Sequence, residues 1–278
     1  MSEFINFING KWEKKSNSNV PIHDAGFLLG DGLFETIRFD NKNLFQVDKH
    51  INRLLDGLKI IRINLNKSIE DMIFLLEKII LKNKLESGLL RLMITRGEIE
   101  GTPWTYQGLP GIYITIRNFS PEPEYPVKVV FYSERKYPII RFKPAIKSLN
   151  YIGNMLAKKD AGNEGAYEPI FYNNEKIITE CAIRNVFFIK DDNLLTPNIN
   201  LGVLPGVMRE TIIEIAKTNN LKVKQTSIDM NSIHNMDEAF ISSTGIGLLP
   251  CYWDNWKSNY KITLQLKKDL NLAIKKGL

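Results

Sequence analysis

The pattern of apolar and polar residues predicts a chain that mixes strands and helices. Short runs typical of strands occur five times in the first part of the chain. They lie at residues 4–8, after a glycine-punctuated turn within 26–39, and at 44–47, 89–95 and 111–117. Apolar positions at helical spacing predict a helix from about 49 to 62, with Asp48 as its cap. A second helix is predicted after Ser68, because Ser68 and Asp71 have the spacing of a capping-box variant.

Residues 118–126 are the best candidate for a linker. Three prolines in this span oppose a helix and discourage a strand. Beyond it, strands and helices mix again, with strands predicted at 127–132, 168–172, 184–190 and 238–243 and helices at about 151–163, 207–219 and 262–275. The 278 residues are enough for two medium domains. We therefore predict an α/β (α+β) fold with a small N-terminal domain at 1–119, a linker at 120–126 and a larger C-terminal domain at 127–278.

Composition and charge are those of a soluble globular protein, with 44% hydrophobic and 24% charged residues. The net charge of +6 is spread over scattered lysines, so an acidic substrate or a phosphate explains it as well as nucleic acid does. Cys181 and Cys251 have no spacing that suggests a disulfide framework or a metal site. No apolar stretch approaches the roughly 20 residues that span a bilayer. We expect a cytoplasmic protein with neither nucleic acid nor a membrane as its partner.

Lys147 is the first candidate for chemistry. Its neighbours Ala145, Ile146 and Leu149 are apolar, and an amine in such surroundings is more readily neutral and nucleophilic. A lysine taken without this context is most often a surface charge. The sequence alone therefore leaves both interpretations open.

Glu180 is the second candidate, because it stands between the apolar residues Ile177-Ile178 and the apolar run 186–189. A carboxylate in such a place is costly to bury without a partner. The protonated ring nitrogen of a bound heterocycle would be one partner. A strand-edge ion pair with Arg184 or a lysine is the alternative.

Two segments are candidate anion sites. Gly206 precedes the helical pattern 207–213, and a glycine followed by free backbone N–H groups can bind an anion. Residues 242–245 offer hydroxyl groups at a glycine turn, although such clusters are more often plain turns. Arg53 in the first predicted helix could add a charge-assisted contact to a phosphate. The alternative for Arg53 is a salt bridge to Asp56 or Asp48.

Taken together and in this order, these segments resemble one family. The chain is similar to class IV (fold-type IV) pyridoxal-phosphate enzymes, which include branched-chain aminotransferases, D-amino-acid aminotransferases and aminodeoxychorismate lyases. The resemblance covers nearly the whole chain. It lies in residues 30–35, 50–54, 95–97, 146–150, 179–181 with 185–187, 202–209 and 243–244. It implies a small N-terminal α/β domain, a larger C-terminal pseudo-barrel domain and a homodimer.

The resemblance also implies a role for each residue in these segments. Lys147 would hold the cofactor pyridoxal 5'-phosphate as a Schiff base and move the proton on the substrate Cα. Glu180 would bind the pyridine nitrogen, and Tyr151 would lie near the ring oxygen. The implied phosphate ligands are Arg53, the backbone of Val207 and Met208, and Ser243 with Thr244.

The substrate residues follow less directly, because the chain departs from the family pattern near them. D-amino-acid aminotransferases carry an Arg and a His shortly after Thr-Arg-Gly, but residues 98–104 contain neither and include two acids. Phe34 stands where those enzymes have Tyr, and Met208 replaces the common Thr. The candidate substrate-binding residues are Phe34, Arg96 and Arg184.

Arg184 is of particular interest, because its position four residues after Glu180 is unusual for the family. We hypothesise that it supplies the missing clamp for a substrate carboxylate. An ion pair with Glu180 or Asp191 is the alternative. Under the clamp hypothesis, replacing Arg184 with Ala raises KM for an amino acid far more than for a simple amine.

Three functions are compatible with these observations. The first is an aminotransferase that moves an amino group between an amino acid, or an amine, and a 2-oxo acid. The second is 4-amino-4-deoxychorismate lyase, which eliminates pyruvate to give 4-aminobenzoate. The third is a basic non-enzymatic binding protein, which predicts strongly salt-dependent binding. The cofactor motifs favour the first two, and the aminotransferase is the main prediction.

Overall fold

The computed structural model describes residues 3–102 and 108–277 of the chain. By packing, the chain divides into two compact units. Unit 1 comprises Met1–Ser120, Ile146–Asn150 and Ile274–Leu278, and unit 2 comprises Pro121–Ala145 and Tyr151–Ala273. The short segment that contains Lys147 thus packs with unit 1, although it lies within the predicted C-terminal domain. The division into independent domains at 1–119 and 127–278, with a linker at 120–126, stays a prediction.

Unit 1 is built on a six-stranded sheet with the strand order β2-β1-β6-β5-β3-β4. Its strands are β1 (Ile5–Ile8), β2 (Lys11–Lys14), β3 (Gly32–Asp40), β4 (Asn43–Leu44), β5 (Gly88–Thr95) and β6 (Gly111–Arg117). Its helices are α1 (Ala25–Leu29), α2 (Val47–Ile60) and α3 (Ile69–Asn83), and a short 3-10 helix covers Lys15–Asn17. Neighbouring strands are antiparallel throughout this sheet.

One face of this sheet forms the core of unit 1. Alternate residues of β3, β5 and β6 point to this face, since side chains alternate along a strand. They pack with apolar residues of α2 and α3, and the core residues include Leu33, Ile37, Ile51, Leu76 and Leu92. The other face of the sheet therefore carries Phe34 and its partner on the neighbouring strand β5, Met93. The functional residues of unit 1 come from both faces of β3.

Unit 2 is built on an eight-stranded sheet with the order β12-β11-β10-β13-β14-β7-β8-β9. Its strands are β7 (Val127–Ser133), β8 (Glu168–Tyr172), β9 (Ile178–Cys181), β10 (Asn185–Lys190), β11 (Asn193–Pro197), β12 (Lys222–Thr226), β13 (Glu238–Ser243) and β14 (Gly247–Tyr252). Three of its strand pairs are parallel, namely β11 with β12, β14 with β7 and β7 with β8. The sheet is therefore mixed.

The helices of this part are α4 (Ile152–Asn163) and α5 (Val207–Thr218), and α6 (Lys261–Lys276) follows β14. Short 3-10 helices cover Glu134–Lys136, Ile199–Leu201 and Met230–Asn235. The apolar core of unit 2 includes Val129, Ile170, Phe188, Ile241 and Leu249. No helix in the described ranges is both long and apolar enough to cross a membrane.

The predicted α/β fold is confirmed, as is the capping box, in which Ser68 and Asp71 each accept a backbone N–H of the other. The prediction at the start of α2 was wrong by two residues. The helix begins at Val47 after Gln46, which takes a left-handed conformation, so Asp48 lies in the first turn and is not the cap. The strand predicted at 44–47 correspondingly shrinks to Asn43–Leu44.

Candidate active site

Strand β3 holds the backbone around Lys147. Ser148 forms an isolated antiparallel bridge with Leu33. The Phe34 N–H donates to the Lys147 carbonyl at 2.9 Å, and the Leu149 N–H donates to the Gly32 carbonyl at 3.0 Å. The chain on both sides of the lysine is therefore paired like an added strand, which fixes where its side chain starts.

The Lys147 amine lies over the ring of Phe34, with Nζ 4.7 Å from the ring centre. The guanidinium carbon of Arg91 lies 3.8 Å from the same centre. Phe34 is buried and Arg91 is exposed. Cations are attracted to the face of an aromatic ring at such distances. Phe34 thus brings an exposed guanidinium and the candidate nucleophile to one ring, and Arg91 is a residue that the sequence analysis missed.

On the core face of the same strand, Glu35 binds two residues of the first turns of α2, His50 and Arg53. Arg53 donates to its two carboxylate oxygens from Nε at 2.7 Å and from Nη2 at 2.6 Å. His50 Nδ1 lies 2.7 Å from Oε2 of the same carboxylate. Arg53 therefore pairs with Glu35 and not with Asp56 or Asp48, the partners considered from the sequence. The bidentate geometry fixes the direction of the guanidinium.

Both acid and base in this cluster have shifted pKa values. Burial alone would raise the pKa of Glu35, but the charge of Arg53 and the hydrogen bond from His50 lower it to about 2. Burial lowers the pKa of His50 against the opposing effect of Glu35, and Arg53 and Lys147 lower it further. Neutral His50 then donates from Nδ1, and its buried Nε2 has no hydrogen-bond partner among the described residues.

Glu180 on β9 is held by Arg141, a residue that the sequence analysis did not consider. Arg141 Nη1 donates to Glu180 Oε1, and Nη2 donates to Glu134 at 2.6 Å. The Leu204 N–H donates to the other Glu180 oxygen at 3.2 Å. Burial would lower the pKa of Arg141, but the charges of Glu180 and Glu134 raise it. Glu180 is thus paired with Arg141, and the ion pair with Arg184 or a lysine, which was the alternative considered from the sequence, is not observed.

The N-terminus of α5 has the form of an anion cradle. Gly206 is the N-cap, no side chain caps the helix, and Val207 and Met208 are its first two residues. A Cβ on Gly206 would lie 2.1 Å from Asn185 Oδ1, so only glycine fits here without a shift. The predicted start of this helix is confirmed. Uncapped N–H groups of a twelve-residue helix are suited to a phosphate.

The second candidate anion segment follows β13. Ser243 ends this strand and Thr244 begins the turn to β14, and both are half-buried. The preceding Ser242 is opposite Asn185 in the strand register. Its buried Oγ has no hydrogen-bond partner among the described residues. A buried hydroxyl without a partner is costly, and a ligand oxygen would satisfy it.

Two of the predicted substrate residues are engaged in ion pairs. Arg184 Nη1 donates to the buried Glu168, and its Nη2 donates to the Tyr167 hydroxyl at 2.9 Å. The pair with Glu180 or Asp191 considered from the sequence was wrong, because β8 pairs with β9 and brings Glu168 to the turn that carries Arg184. Arg96 binds Asp31 with Nε at 2.5 Å and Nη2 at 3.0 Å. Neither geometry supports a substrate clamp.

The remaining predicted residues lie in less informative positions. Tyr151 is the N-cap residue of α4 and is half-buried. Asn150, the residue before it, donates from Nδ2 to the Gly30 carbonyl at 3.0 Å. The segment 98–104 lacks the Arg and His that D-amino-acid aminotransferases carry. Two of its residues, Pro103 and Trp104, lie outside the described residues.

The chain matches the family described as amino-transferase class IV over residues 32–252. It is 32% identical over 261 residues to a D-alanine aminotransferase of Staphylococcus aureus strain MSSA476, covering 88% of this chain and 86% of that protein. The chain therefore belongs to the class IV aminotransferase family, as the sequence motifs indicated, and it is an aminotransferase of that class.

Solved structures are similar along the same length. The branched-chain amino acid aminotransferase of Escherichia coli superposes with a TM-score of 0.90 at 23% identity, covering 99% of this chain and 96% of that one. A protein of Legionella pneumophila assigned as a 4-amino-4-deoxychorismate lyase gives 0.84 at 26% identity, covering 93% and 96%. The predicted fold-type IV architecture, with a small α/β part and a larger pseudo-barrel part, is confirmed.

Proposed function

We propose that this aminotransferase works with pyridoxal 5'-phosphate and moves an amino group between an amino acid and a 2-oxo acid. The observation that supports it most is the placement of Lys147, whose backbone is paired to β3 and whose amine lies over Phe34. Class IV enzymes use this cofactor. The donor set of this chain is compatible with it.

The residues fit the chemical groups of the cofactor one by one. The uncapped start of α5, with Val207 and Met208, suits the phosphate, and so do the guanidinium of Arg53 and the hydroxyls of Ser243 and Thr244. The buried Ser242 Oγ, which has no hydrogen-bond partner among the described residues, is a further group that a ligand oxygen would satisfy. The carboxylate of Glu180, oriented by Arg141, suits a protonated ring nitrogen. Lys147 Nζ is the amine for the aldehyde, and Tyr151 is proposed to lie near the ring oxygen.

When bound, pyridoxal phosphate supplies an aldehyde that accepts the amino group and a ring that withdraws electrons from the reacting carbon. Lys147 Nζ is the proposed general base that would take the proton from the substrate Cα. Glu180 would hold the ring nitrogen, and Arg141 orients the Glu180 carboxylate toward this role. Glu35 holds Arg53 in one direction by two hydrogen bonds, which orients the phosphate contact.

For the substrate carboxylate we propose Arg91 in place of Arg184 and Arg96. Its guanidinium is exposed and lies on the same ring as the Lys147 amine. Guanidinium groups bind carboxylates well because two parallel N–H groups match the two oxygens. Phe34 then acts as the surface that positions both cations.

The alternative function is 4-amino-4-deoxychorismate lyase, which shares the first proton transfer and then releases pyruvate. The likeness to the assigned lyase at 26% identity supports it. Lys147, Glu180 and the phosphate residues serve both reactions equally. The fate of the substrate therefore has to be measured.

We further propose a cytoplasmic homodimer. The short helix α1 exposes Phe27, Leu28 and Leu29 at 66%, 50% and 52%, an apolar surface that a second copy would cover. The two cysteines are buried and not in disulfides, which suits a reducing compartment. Sedimentation of the purified protein tests the dimer directly.

A screen of half-reactions tests the function. The cofactor-loaded enzyme is mixed with single L-amino acids, D-amino acids and amines, and its absorbance is followed for conversion to pyridoxamine 5'-phosphate. We expect conversion with at least one amino acid. If no donor converts it and 4-aminobenzoate appears from aminodeoxychorismate, the enzyme is the lyase. A protein that takes up no cofactor would overturn both proposals.

A further inference from the structure

Two arginines of unit 2, Arg184 and Arg209, have surroundings that differ in one respect. Arg184 has the buried carboxylate of Glu168 as its partner. Arg209, only 4% exposed, has no carboxylate partner among the described residues. Its Nη2 donates to the Pro197 carbonyl at 2.9 Å and to Gln225 Oε1 at 3.0 Å, and its Nε has no hydrogen-bond partner among the same residues. Both groups that accept its hydrogen bonds are therefore neutral.

A buried cation without a counter-ion is expensive, since a low-dielectric interior disfavours the charged form. Burial accordingly lowers the pKa of Arg209 to about 10, although Glu180 and Glu210 act in the opposite direction. The group still carries its proton at neutral pH. An anion bound nearby would offset this cost.

Arg209 stands at one of the two candidate anion segments of unit 2. It is the third residue of α5, directly after Val207 and Met208. Side chains of a helix lean toward its N-terminus. The Arg209 Cβ lies 3.4 Å from the position that a Cβ on Gly206 would take, and Asn185 Oδ1 lies 2.1 Å from that position.

A second group points to a ligand at the same end of the helix. Ser242 is opposite Asn185 in the register of β13 and β10, and it is 1% exposed. Its Oγ, like Arg209 Nε, has no hydrogen-bond partner among the described residues. Two buried polar groups near one uncapped helix start thus lack the partner that an anion or its bound water would provide.

We propose that Arg209 is the buried counter-charge of a phosphate-ester dianion bound at the N-terminus of α5, and that it acts on the phosphate through the low-dielectric interior without touching it. This inference rests on the proposed function, in which that dianion belongs to the cofactor. The partial positive charge of a helix N-terminus is only about half an elementary charge. Arg209 adds a full charge within one helical turn.

The alternative role is purely structural. Arg209 joins the C-terminal end of β11 to β12 by its two hydrogen bonds, and this would stabilise the sheet edge with or without a ligand. The two roles differ in what they predict. A structural role affects stability alone, whereas a counter-charge affects the affinity for phosphate-bearing ligands selectively.

The test measures dissociation constants by calorimetry for pyridoxamine 5'-phosphate, pyridoxamine and inorganic phosphate. Pyridoxamine 5'-phosphate is chosen because it has no aldehyde to react with a lysine. For Arg209→Gln, which is neutral but can still donate to Pro197, we expect at least tenfold weaker binding of both phosphate ligands, about 1.4 kcal/mol. Binding of pyridoxamine should change less than about threefold, and Arg209→Lys should restore most of the phosphate affinity.

A second variant neutralises the charge without altering Arg209 itself. Gln225→Glu places a carboxylate at the acceptor of Nη2, so the apo-protein should melt at a higher temperature while both phosphate ligands bind more weakly. This variant also serves if Arg209→Gln does not fold. The matched control is Arg184→Gln, which leaves Glu168 with one cation fewer. It should lower the melting temperature and leave the preference for phosphate ligands unchanged.

The inference is overturned if Arg209→Gln and Gln225→Glu bind both phosphate ligands within about threefold of wild type, or lose pyridoxamine and its phosphate equally. Failure of the proposed function looks different. In that case wild type binds inorganic phosphate, and the variants weaken it, but the loaded protein transfers no amino group. A wild-type protein that binds neither phosphate ligand overturns both.

Discussion

Two ionic clusters, a buried one in unit 1 and a half-buried one in unit 2, are built on opposite ratios of acid to base. In the cluster of unit 1, the single carboxylate of Glu35 binds both Arg53 and His50. In the cluster of unit 2, the single guanidinium of Arg141 binds both Glu180 and Glu134. With His50 neutral, the first cluster has no net charge, whereas the second carries one excess negative charge.

The difference in net charge indicates that the two clusters have different roles. A neutral cluster in which both carboxylate oxygens of Glu35 are bound orients Arg53 and contributes to stability. A cluster with an excess negative charge is suited to hold a positive ligand atom, such as a protonated ring nitrogen. Substitutions in the first cluster should therefore mainly lower the free energy of unfolding. Substitutions in the second should mainly lower the reaction rate.

The largest effect is expected from Glu180→Gln. It removes the excess negative charge and leaves the side-chain shape, so the reaction rate should fall on the order of 10²- to 10³-fold, as for other pre-organised electrostatic groups. Steady-state kcat with the amino donor found in the screen measures this. The matched control is Glu134→Gln, which removes the other carboxylate from Arg141 and should lower kcat less than about tenfold. Equal losses in the two variants would contradict the assignment.

The next effect is expected from Glu35→Gln. The pKa of Glu35 is lowered in the native state from 4.5 to about 2, so its ionised form stabilises the native state. The contribution is complete above about pH 4.5 and is lost as the pH falls toward 2. It amounts to about 3 kcal/mol. Urea unfolding of wild type at a series of pH values should show this acid-range loss, and the variant should lack it and be less stable at neutral pH.

The control for this second prediction is Asp31→Asn. Asp31 also binds an arginine with two hydrogen bonds, but its side chain is 27% exposed and screened by solvent. Its removal should cost about 1 kcal/mol or less. If both variants lose the same stability, the buried cluster has no special role in folding.

A smaller effect, on the substrate alone, is expected from Arg91→Ala. Loss of the proposed carboxylate partner should raise KM for the amino acid roughly ten- to a hundredfold, with little change for a simple amine. Arg184→Ala is the comparison, because its head group is bound to Glu168. Should Arg184→Ala be the variant that discriminates amino acids from amines, the original clamp hypothesis would be restored and the role of Arg91 rejected.

Local signals explain what the sequence could predict. The capping box at Ser68 and the glycine that opens α5 depend on neighbouring residues, and both were found where expected. The start of α2 was misplaced because Gln46 adopts a left-handed backbone, which its residue type does not favour. Strands β2, β9, β11, β12 and β14 were missed, and β2 and β12 have no buried residue whose spacing could have revealed them.

The partners of the charged residues could not be predicted, because they depend on which strands become neighbours. Arg141 and Glu180 are thirty-nine residues apart in the chain, and Arg184 meets Glu168 only through the pairing of β8 with β9. Arg91 gave one usable signal, a charge inside the apolar run 89–95. Such a residue on an otherwise apolar strand indicates either an exposed face or a ligand.

The central claim is that Lys147, and no other lysine, holds the cofactor. Purified protein is incubated with pyridoxal 5'-phosphate, treated with borohydride to make the linkage permanent, digested and examined by mass spectrometry. The account predicts a yellow protein whose only phosphopyridoxyl label is on the peptide that contains Lys147. A colourless protein, or a label on a different lysine with Lys147 unmodified, would contradict it.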